Sequence, residues 1–398
     1  MSMSKELIHL IKEKVEALHQ DTVGYYKYLH QYPELSFQEE KTAAFVESKL
    51  IEWGIGYRKN IGGFGILGWI KGSLPSSRVI ALRADMDALP IIEQNDIDFV
   101  SKNSGIMHAC GHDTHTASLL GAAKIILDLK DKFGGTVLFI FQPGEEKHPG
   151  GASLMLKDGI FDEYKPDIII GQHAYVDYNV GEVGFGNGVI MASADEVHMK
   201  IIGKGGHGAI PHEVDDTVLA ASQVLASMQQ VVSRRSNPFK PCVLSFGKFI
   251  ADGATNIIPN VVTLAGTLRC MDEEERSKLK PIIRDIAVHT AKAYGCECEI
   301  EVYDGYPCVF NDEAVTGMMK TFASEYLGAE KVKGLPKRMT AEDFGFFSQK
   351  YPCTFYRFGI QGKKRSTGLH TPTFLIDEEA LQTSVGTMTY LALRYCNN

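Results

Sequence analysis

Cysteine is scarce in this chain: eight occur in 398 residues, unevenly spaced. Such usage excludes a disulfide framework and fits reduced thiols, so the expected compartment is the cytoplasm. Basic residues are also in deficit, 41 Lys and Arg against 49 Asp and Glu, for a net charge of −8. No basic surface is concentrated anywhere, which argues against nucleic acid as a partner because phosphate binding needs one. No uninterrupted apolar run is long enough to cross a bilayer, so no membrane role is expected. The N-terminus, Met1 to Lys14, is amphipathic and broken by Lys5, Glu6, Lys12, Glu13 and Lys14, and it reads as neither a signal peptide nor a span. Internal repeats, low-complexity tracts and long linkers are missing as well. What remains is a globular composition, 44% hydrophobic and 23% charged, in a chain too long for one ordinary core. Two domains are the default.

From the start to about residue 180 the pattern alternates helix and strand. Helical periodicity covers Lys5 to Tyr28 and Glu39 to Trp53, the second opened by Ser36 with Glu39 at capping-box spacing. A helix from about Thr114 to Leu129 follows, set between strand-like runs. Alternation of this kind implies an α/β domain with a mostly parallel sheet. Residues 183–302 read differently. Strands at Ala194 to Ile202, Cys242 to Phe249, Val261 to Cys270 and Glu297 to Tyr303 alternate with helices at Asp216 to Arg234 and from Glu273. On the first helix Val218, Leu219, Ser222, Leu225 and Met228 mark the apolar face. The order β-α-β-β-α-β is ferredoxin-like. It reads as an insert, with residues 1–182 and 303–398 forming one discontinuous domain around it.

Four strand-like runs in the first domain each lead to ionisable side chains. Arg78 to Leu82 leads to Asp85 and Asp87, and Val137 to Phe141 leads to Glu145 and Glu146. Asp167 to Ile170 leads to His173, and Cys353 to Phe358 leads, after a glycine-rich loop, to His370. In an open α/β sheet, ligands collect beyond the carboxyl ends of the strands. Carboxylates and imidazoles gathered there repel or starve one another unless a cation sits among them. The pattern asks for a metal.

The densest cluster is Met107-His108-Ala109-Cys110-Gly111-His112-Asp113-Thr114-His115, just ahead of a helix. A helix N-terminus lowers a cysteine pKa, and the thiolate is the ligating form. An isolated Cys-x-His is more often a buried thiol beside capping groups, but three histidines, a cysteine and an aspartate in so short a stretch favour ligation. In Gln142-Pro143-Gly144-Glu145-Glu146, adjacent glutamates leave a strand in different directions. One can bind metal while the other takes a proton from water. With Cys110, His112, Glu146, His173 and His370 there are five candidate ligands, more than one tetrahedral zinc needs. Two ions sharing a water, roughly 3.5–4 Å apart, would use them. Zinc suits this mixed S/N/O set, and manganese or cobalt is also accepted.

Other features carry less. The glycine-rich loop Gly203 to His212 lacks the Gly-Lys-Ser/Thr ending of a phosphate cradle. His207 in it, and Asn256 in the second loop Asp252 to Asn260, are neutral donors able to stabilise an oxyanion or hold a carboxylate, although ordinary loop roles are the simpler reading of each alone. Cys296 and Cys298 face one side of a strand without partners for a zinc site and read as structural thiols. Phe344-Gly345-Phe346-Phe347 reads as core, and Lys363-Lys364-Arg365 as a solvated loop.

Taken together, these motifs resemble the M20 metallopeptidase clan. They are His30 to Ser36, Arg83 to Pro90, Met107 to His115, Pro143 to Glu146, Gly205 to His212, Thr255 to Asn260, Glu342-Asp343-Phe344 and Gly368 to Pro372. Within the clan the resemblance is to the amidohydrolase branch of hippurate hydrolases, auxin-conjugate hydrolases and N-acetyldiaminopimelate deacetylases. It implies a two-metal centre held by Cys110, His112, Glu146, His173 and His370, with Glu145 as general base and acid. It also implies that the insert is a lid used for homodimerisation, with His207 approaching the scissile carbonyl. Many clan members carry a ligand histidine where Asp85 stands here, so no ligand role passes to Asp85. Asp87 is expected to orient a ligand histidine. The expected reaction is hydrolysis of the amide of an N-acyl amino acid. The alternative is a dipeptidase or carboxypeptidase of the same clan. A silent binding protein would lack Glu145 or a ligand, and a thiol redox protein using Cys296 and Cys298 would ignore chelators.

Overall fold

A computed structural model describes residues 3–362 and 367–398. Lys363, Lys364 and Arg365, expected in a solvated loop, lie outside the described residues. The chain divides into two compact units, Met1–Gly188 with Phe310–Pro336 and Phe346–Asn398, and Val189–Val309 with Lys337–Gly345.

The first unit is built on an eight-stranded sheet. Its four central strands are Gly134–Gln142, Leu74–Asp85, Ile168–Asn179 and Cys353–Gln361, in that spatial order and mutually parallel. Their β-branched and aromatic runs are buried on both faces, Gly134–Gln142 along its whole length. That is the burial a central parallel strand requires. A hairpin of Gly56–Ile61 and Gly65–Lys71 adds antiparallel strands at one edge. The expected helices form at Met3–Gln31, Glu40–Trp53 and His112–Asp128, and Glu313–Leu327 and Ala380–Cys396 complete the layers. Register is what matters for function. Asp85 pairs with Gln142, Arg83 with Gly171 and His173 with Arg357. The strands therefore end level, and their following loops share one edge.

The capping box does not form. The helix at Glu40–Trp53 has no side-chain cap from Ser36 or Glu39. Glu34 instead accepts from the Thr42 N–H at 2.8 Å and from the Lys41 N–H at 3.2 Å. Ser36 and Glu39 are turned towards the strand-end loops, where buried polar groups need partners more than a helix end that Glu34 already serves.

The second unit carries an antiparallel four-stranded sheet in the spatial order Cys242–Ala251, Val261–Cys270, Ala194–Ile202, Glu297–Tyr306. Helices Thr217–Gln230 and Glu273–Ala293 lie between strands in chain order, giving β-α-β-β-α-β. Asp216 caps the first by accepting from the Leu219 N–H, and Asp272 caps the second from the Glu275 N–H. The buried stripe of the first helix is Thr217, Ala220, Ala221, Val224 and Met228, and Leu219 is exposed. The expected apolar face holds in part: Met228 is buried and Val218 and Leu225 pack against the core, whereas Leu219 and Ser222 are exposed. Cys296 and Cys298 join the core of this unit, and all eight cysteines are free. Phe344 and Phe347 are fully buried, as core residues should be. Among the described residues no helix is long and apolar enough to cross a membrane.

Candidate metal centre

The strand-end loops of the first unit bring all five candidate ligands together. Cys110, His112 and His173 can offer ligand atoms within 4.8 Å of one another, and so can Cys110, Glu146 and His370. Cys110 belongs to both triplets. Its Sγ lies 3.4 Å from His173 Nε2 and 3.3 Å from His370 Nε2. Gly111, at φ 92°, turns the chain between Cys110 and the helix that opens with His112. His370 sits at φ 60° in its loop, pinned by its N–H to the Ala109 carbonyl at 2.7 Å.

The hydrogen bonds fix which imidazole nitrogens are available. His112 Nδ1 donates to Asp87, 2.9 Å to the carbonyl and 3.1 Å to Oδ1. Its Nε2 is buried without a partner. His173 Nδ1 donates to the Ala174 carbonyl at 2.9 Å, so its Nε2 lone pair turns to Cys110. Glu146 Oε1 is buried too and pairs with His370 Nε2 at 3.2 Å. Sulfur, nitrogen and oxygen atoms that converge this closely are a donor set for a cation, which takes the place of the protons they carry. The residues fit a metal site.

Asp87 is the hub beneath it. Its Oδ2 accepts from Ser36 Oγ at 2.6 Å and from the Glu146 N–H at 2.9 Å. Burial raises its pKa, but the His112 and Ser36 bonds outweigh that and keep it ionised. Asp85 is occupied elsewhere. Arg83 Nη1 donates to Oδ2 at 2.6 Å and His115 Nδ1 to Oδ1 at 2.6 Å. His115 Nε2 accepts from the Ala174 N–H at 2.9 Å. Although Asp85, His112 and His115 are close enough for ligation, both nitrogens of His115 are used, and Arg83 satisfies the aspartate. Asp85 and His115 are thus committed to bonds within the protein.

Burial and neighbouring charges set the protonation of these groups. Burial, then Arg357 and His115, hold His173 well below the usual range, so it is neutral. Burial opposes charge on His112, but Asp85 and Cys110 raise it well above. His370 is raised to about 10 by its bonds to Cys110 and Glu146. The Cys110 thiol is raised, first by burial and then by Glu146. The helix end was expected to lower it; here burial wins, and a metal must displace the proton. Glu145 is buried beside this set, its Oε2 3.9 Å from His112 Nε2.

Sequence reading missed three contributors. Arg83 and His115 stood inside quoted motifs without a role, and Glu39 was assigned to a helix cap. Glu39 is fully buried, and its Oε1 accepts from the Gly144 N–H at 2.7 Å and the Phe37 N–H at 2.9 Å. A glutamate in a first helical turn gives no sign of such burial. His207 and Asn256 lie in the second unit, both exposed. His207 pairs with Ile257, and the Gly208 N–H donates to the Asn256 carbonyl at 2.9 Å.

Thiol, imidazole and carboxylate donors at the ends of parallel strands, with a further glutamate alongside, make a candidate centre for a metal-dependent hydrolase. Residues 81–394 match peptidase family M20/M25/M40, and the chain belongs to that family. It is 42% identical to the N-acyl-L-amino acid amidohydrolase of Geobacillus stearothermophilus, over 76% of this chain and 80% of that protein. It is 35% identical to thermostable carboxypeptidase 1 of Saccharolobus solfataricus, over 98% of this chain and 100% of that one. The crystal structure of Bacillus subtilis YXEP protein, a dinuclear metal-binding M20 peptidase, superposes with a TM-score of 0.83 at 32% identity, covering 96% of this chain and 99% of that one. The protein is accordingly an M20-type amidohydrolase or peptidase.

Proposed function

We propose that the protein hydrolyses the amide bond of N-acyl amino acids, using two divalent cations and Glu145 as the proton carrier. The observation that carries this reading is the double membership of Cys110, which completes one triplet with His112 and His173 and another with Glu146 and His370. Two ions, zinc for preference and manganese or cobalt as substitutes, suit such a set. When bound, they supply Lewis acidity to the scissile carbonyl and to the attacking water. Glu145 takes the water's proton and returns it to the leaving amine. Asp87 keeps His112 in the tautomer whose Nε2 faces the site.

His207 contributes a donor to the developing oxyanion. The Ala209 N–H donates to its Nδ1 at 3.1 Å, which leaves the ring proton on Nε2. Asn256, in the neighbouring loop, is the candidate for holding the substrate's carboxylate. The second unit also serves as a homodimer surface: its edge strand Cys242–Ala251 exposes Phe249 and Ile250. Free cysteines throughout support a cytoplasmic location.

Likeness to both an amidohydrolase and a carboxypeptidase makes the acyl group the point to test. Metal-stripped protein reloaded with zinc, manganese or cobalt would be offered N-acetyl, N-benzoyl and indole-acyl amino acids and dipeptides, with amine release measured. Metal-dependent release from acyl amino acids is expected. Release from dipeptides alone would transfer the protein to the peptidase reading. His207→Ala should lower kcat by roughly 10²–10³ with an unchanged melting temperature; an unchanged kcat would remove His207 from the reaction.

A further inference from the structure

We infer that Glu39 is a positioning residue for the Gly144-Glu145-Glu146 turn, fixing it through a backbone hydrogen bond. The inference rests on the roles proposed above for Glu145 and Glu146, and it explains how the turn is held.

Glu39 is fully buried, and among the described residues none of the ion pairs includes it. A buried carboxyl group without a cation is costly, so its place in the fold calls for a reason. Its Oε2 has no hydrogen-bond partner, whereas its Oε1 accepts two backbone N–H groups, from Phe37 and from Gly144. Gly144 is the residue immediately before Glu145. Two residues further on, the Glu146 N–H donates to Asp87 Oδ2. Glu145 is thus the middle residue of a turn whose flanking N–H groups are both tied to carboxyl oxygens.

The segment that carries Glu39 reinforces both ties. Ser36 Oγ donates to the same Asp87 Oδ2 at 2.6 Å. Phe37, at φ 65°, lays its ring against Gly144, at φ 60°, where an added Cβ would come within 2.3 Å of the ring. The turn can adopt this form only with glycine at 144 and an acceptor above its N–H. Without Glu39 that N–H would be buried and unsatisfied, and the turn would shift to find water. Burial, then Asp87, push the Glu39 pKa up to about 7, so glutamine is a fair mimic of its neutral form.

Three variants separate reach, charge and packing. Glu39→Gln keeps an oxygen able to accept both N–H groups and removes the charge. Glu39→Asp keeps the charge and withdraws the oxygen by one methylene. Glu39→Ala removes both. Zinc affinity would be measured by competition with a chromophoric chelator, alongside kcat and KM for the best acyl amino acid. Expected for the Ala and Asp variants is roughly 10–100-fold weaker binding of one of the two ions. Their kcat should fall roughly tenfold or more at a KM within about twofold, while the Gln variant stays near wild type on both measures. Wild-type zinc affinity and kcat in Glu39→Asp would overturn the inference, and so would a Gln variant as impaired as the Asp variant, since charge would then be what matters. Should Glu39→Ala fail to fold, the Gln and Asp pair still decides. If wild-type protein releases no amine from any acyl amino acid, the substrate reading fails, while the zinc affinities continue to test Glu39.

Discussion

At the scale of single residues, the proposed centre divides labour between neighbours of one chemical type. Glu145 and Glu146 are adjacent and both come within ligand distance of His112, while Glu146 also joins Cys110 and His370. Asp85 and Asp87 are two apart, yet Asp85 is absorbed by Arg83 and His115 while Asp87 holds His112. The aspartates are split by what their side chains can reach, and the glutamates by the roles proposed for them. This makes Glu145→Gln a discriminating change. The amide keeps the size of the side chain and removes the group proposed to accept the proton. Bound metal, measured by elemental analysis, should remain at two ions per chain, and kcat should fall by roughly 10²–10⁴. Activity above a tenth of wild type would take the base role away from Glu145. Loss of metal instead would make it a ligand.

Among elements, the joint between the first and third helices of the first unit carries a buried ion cluster. His30, near the end of Met3–Gln31, sits between Asp113 in the first turn of His112–Asp128 and Glu93, at 2.7 and 3.0 Å. Burial lowers its pKa, but the bonds to Asp113 and Glu93 prevail and raise it from 6.5 to about 9. A cation raised in the folded state stabilises fully below its unfolded pKa. That stabilisation is lost as pH climbs through the folded value, here between 6.5 and about 9. A shift of this size corresponds to about 3 kcal/mol. Urea titrations of metal-loaded protein should show His30→Gln closing most of its stability gap to wild type as pH rises through that window. A gap that stays constant would mean His30 is neutral in the fold. The cluster also shows what the sequence could convey. Strands buried on both faces announce themselves by unbroken apolar runs, so their ends, and the ligands beyond them, were legible. His30, Ser36 and Glu39 lie on or beside helices, where a polar residue looks the same whether it caps, faces water or is buried. Nor does any pattern mark Lys337–Gly345 as part of the second unit, because contacts between distant segments leave no local period.

For the whole molecule, the five candidate ligands all belong to the first compact unit and none to the second. Metal binding by this proposed set is therefore linked first to the stability of that unit. A cation that binds only the folded form stabilises by about 2.7 kcal/mol at a hundred times its Kd, for each ion. For a unit of this size that corresponds to a rise of roughly 2–4 °C in Tm per kcal/mol. Scanning calorimetry of stripped protein should resolve two transitions, because units with separate cores need not unfold together. Titrating zinc should move one of them upward by roughly 5–10 °C per ion and leave the other in place. The moving transition can be identified with Cys110→Ser, which removes the atom common to both triplets and should abolish most of the shift. Zinc moving both transitions equally would show that the units melt as one body and that linkage extends across the chain. No movement at concentrations that restore amine release would mean that the ligands bind metal equally well unfolded, and the preorganised donor set around Cys110 would lose its meaning.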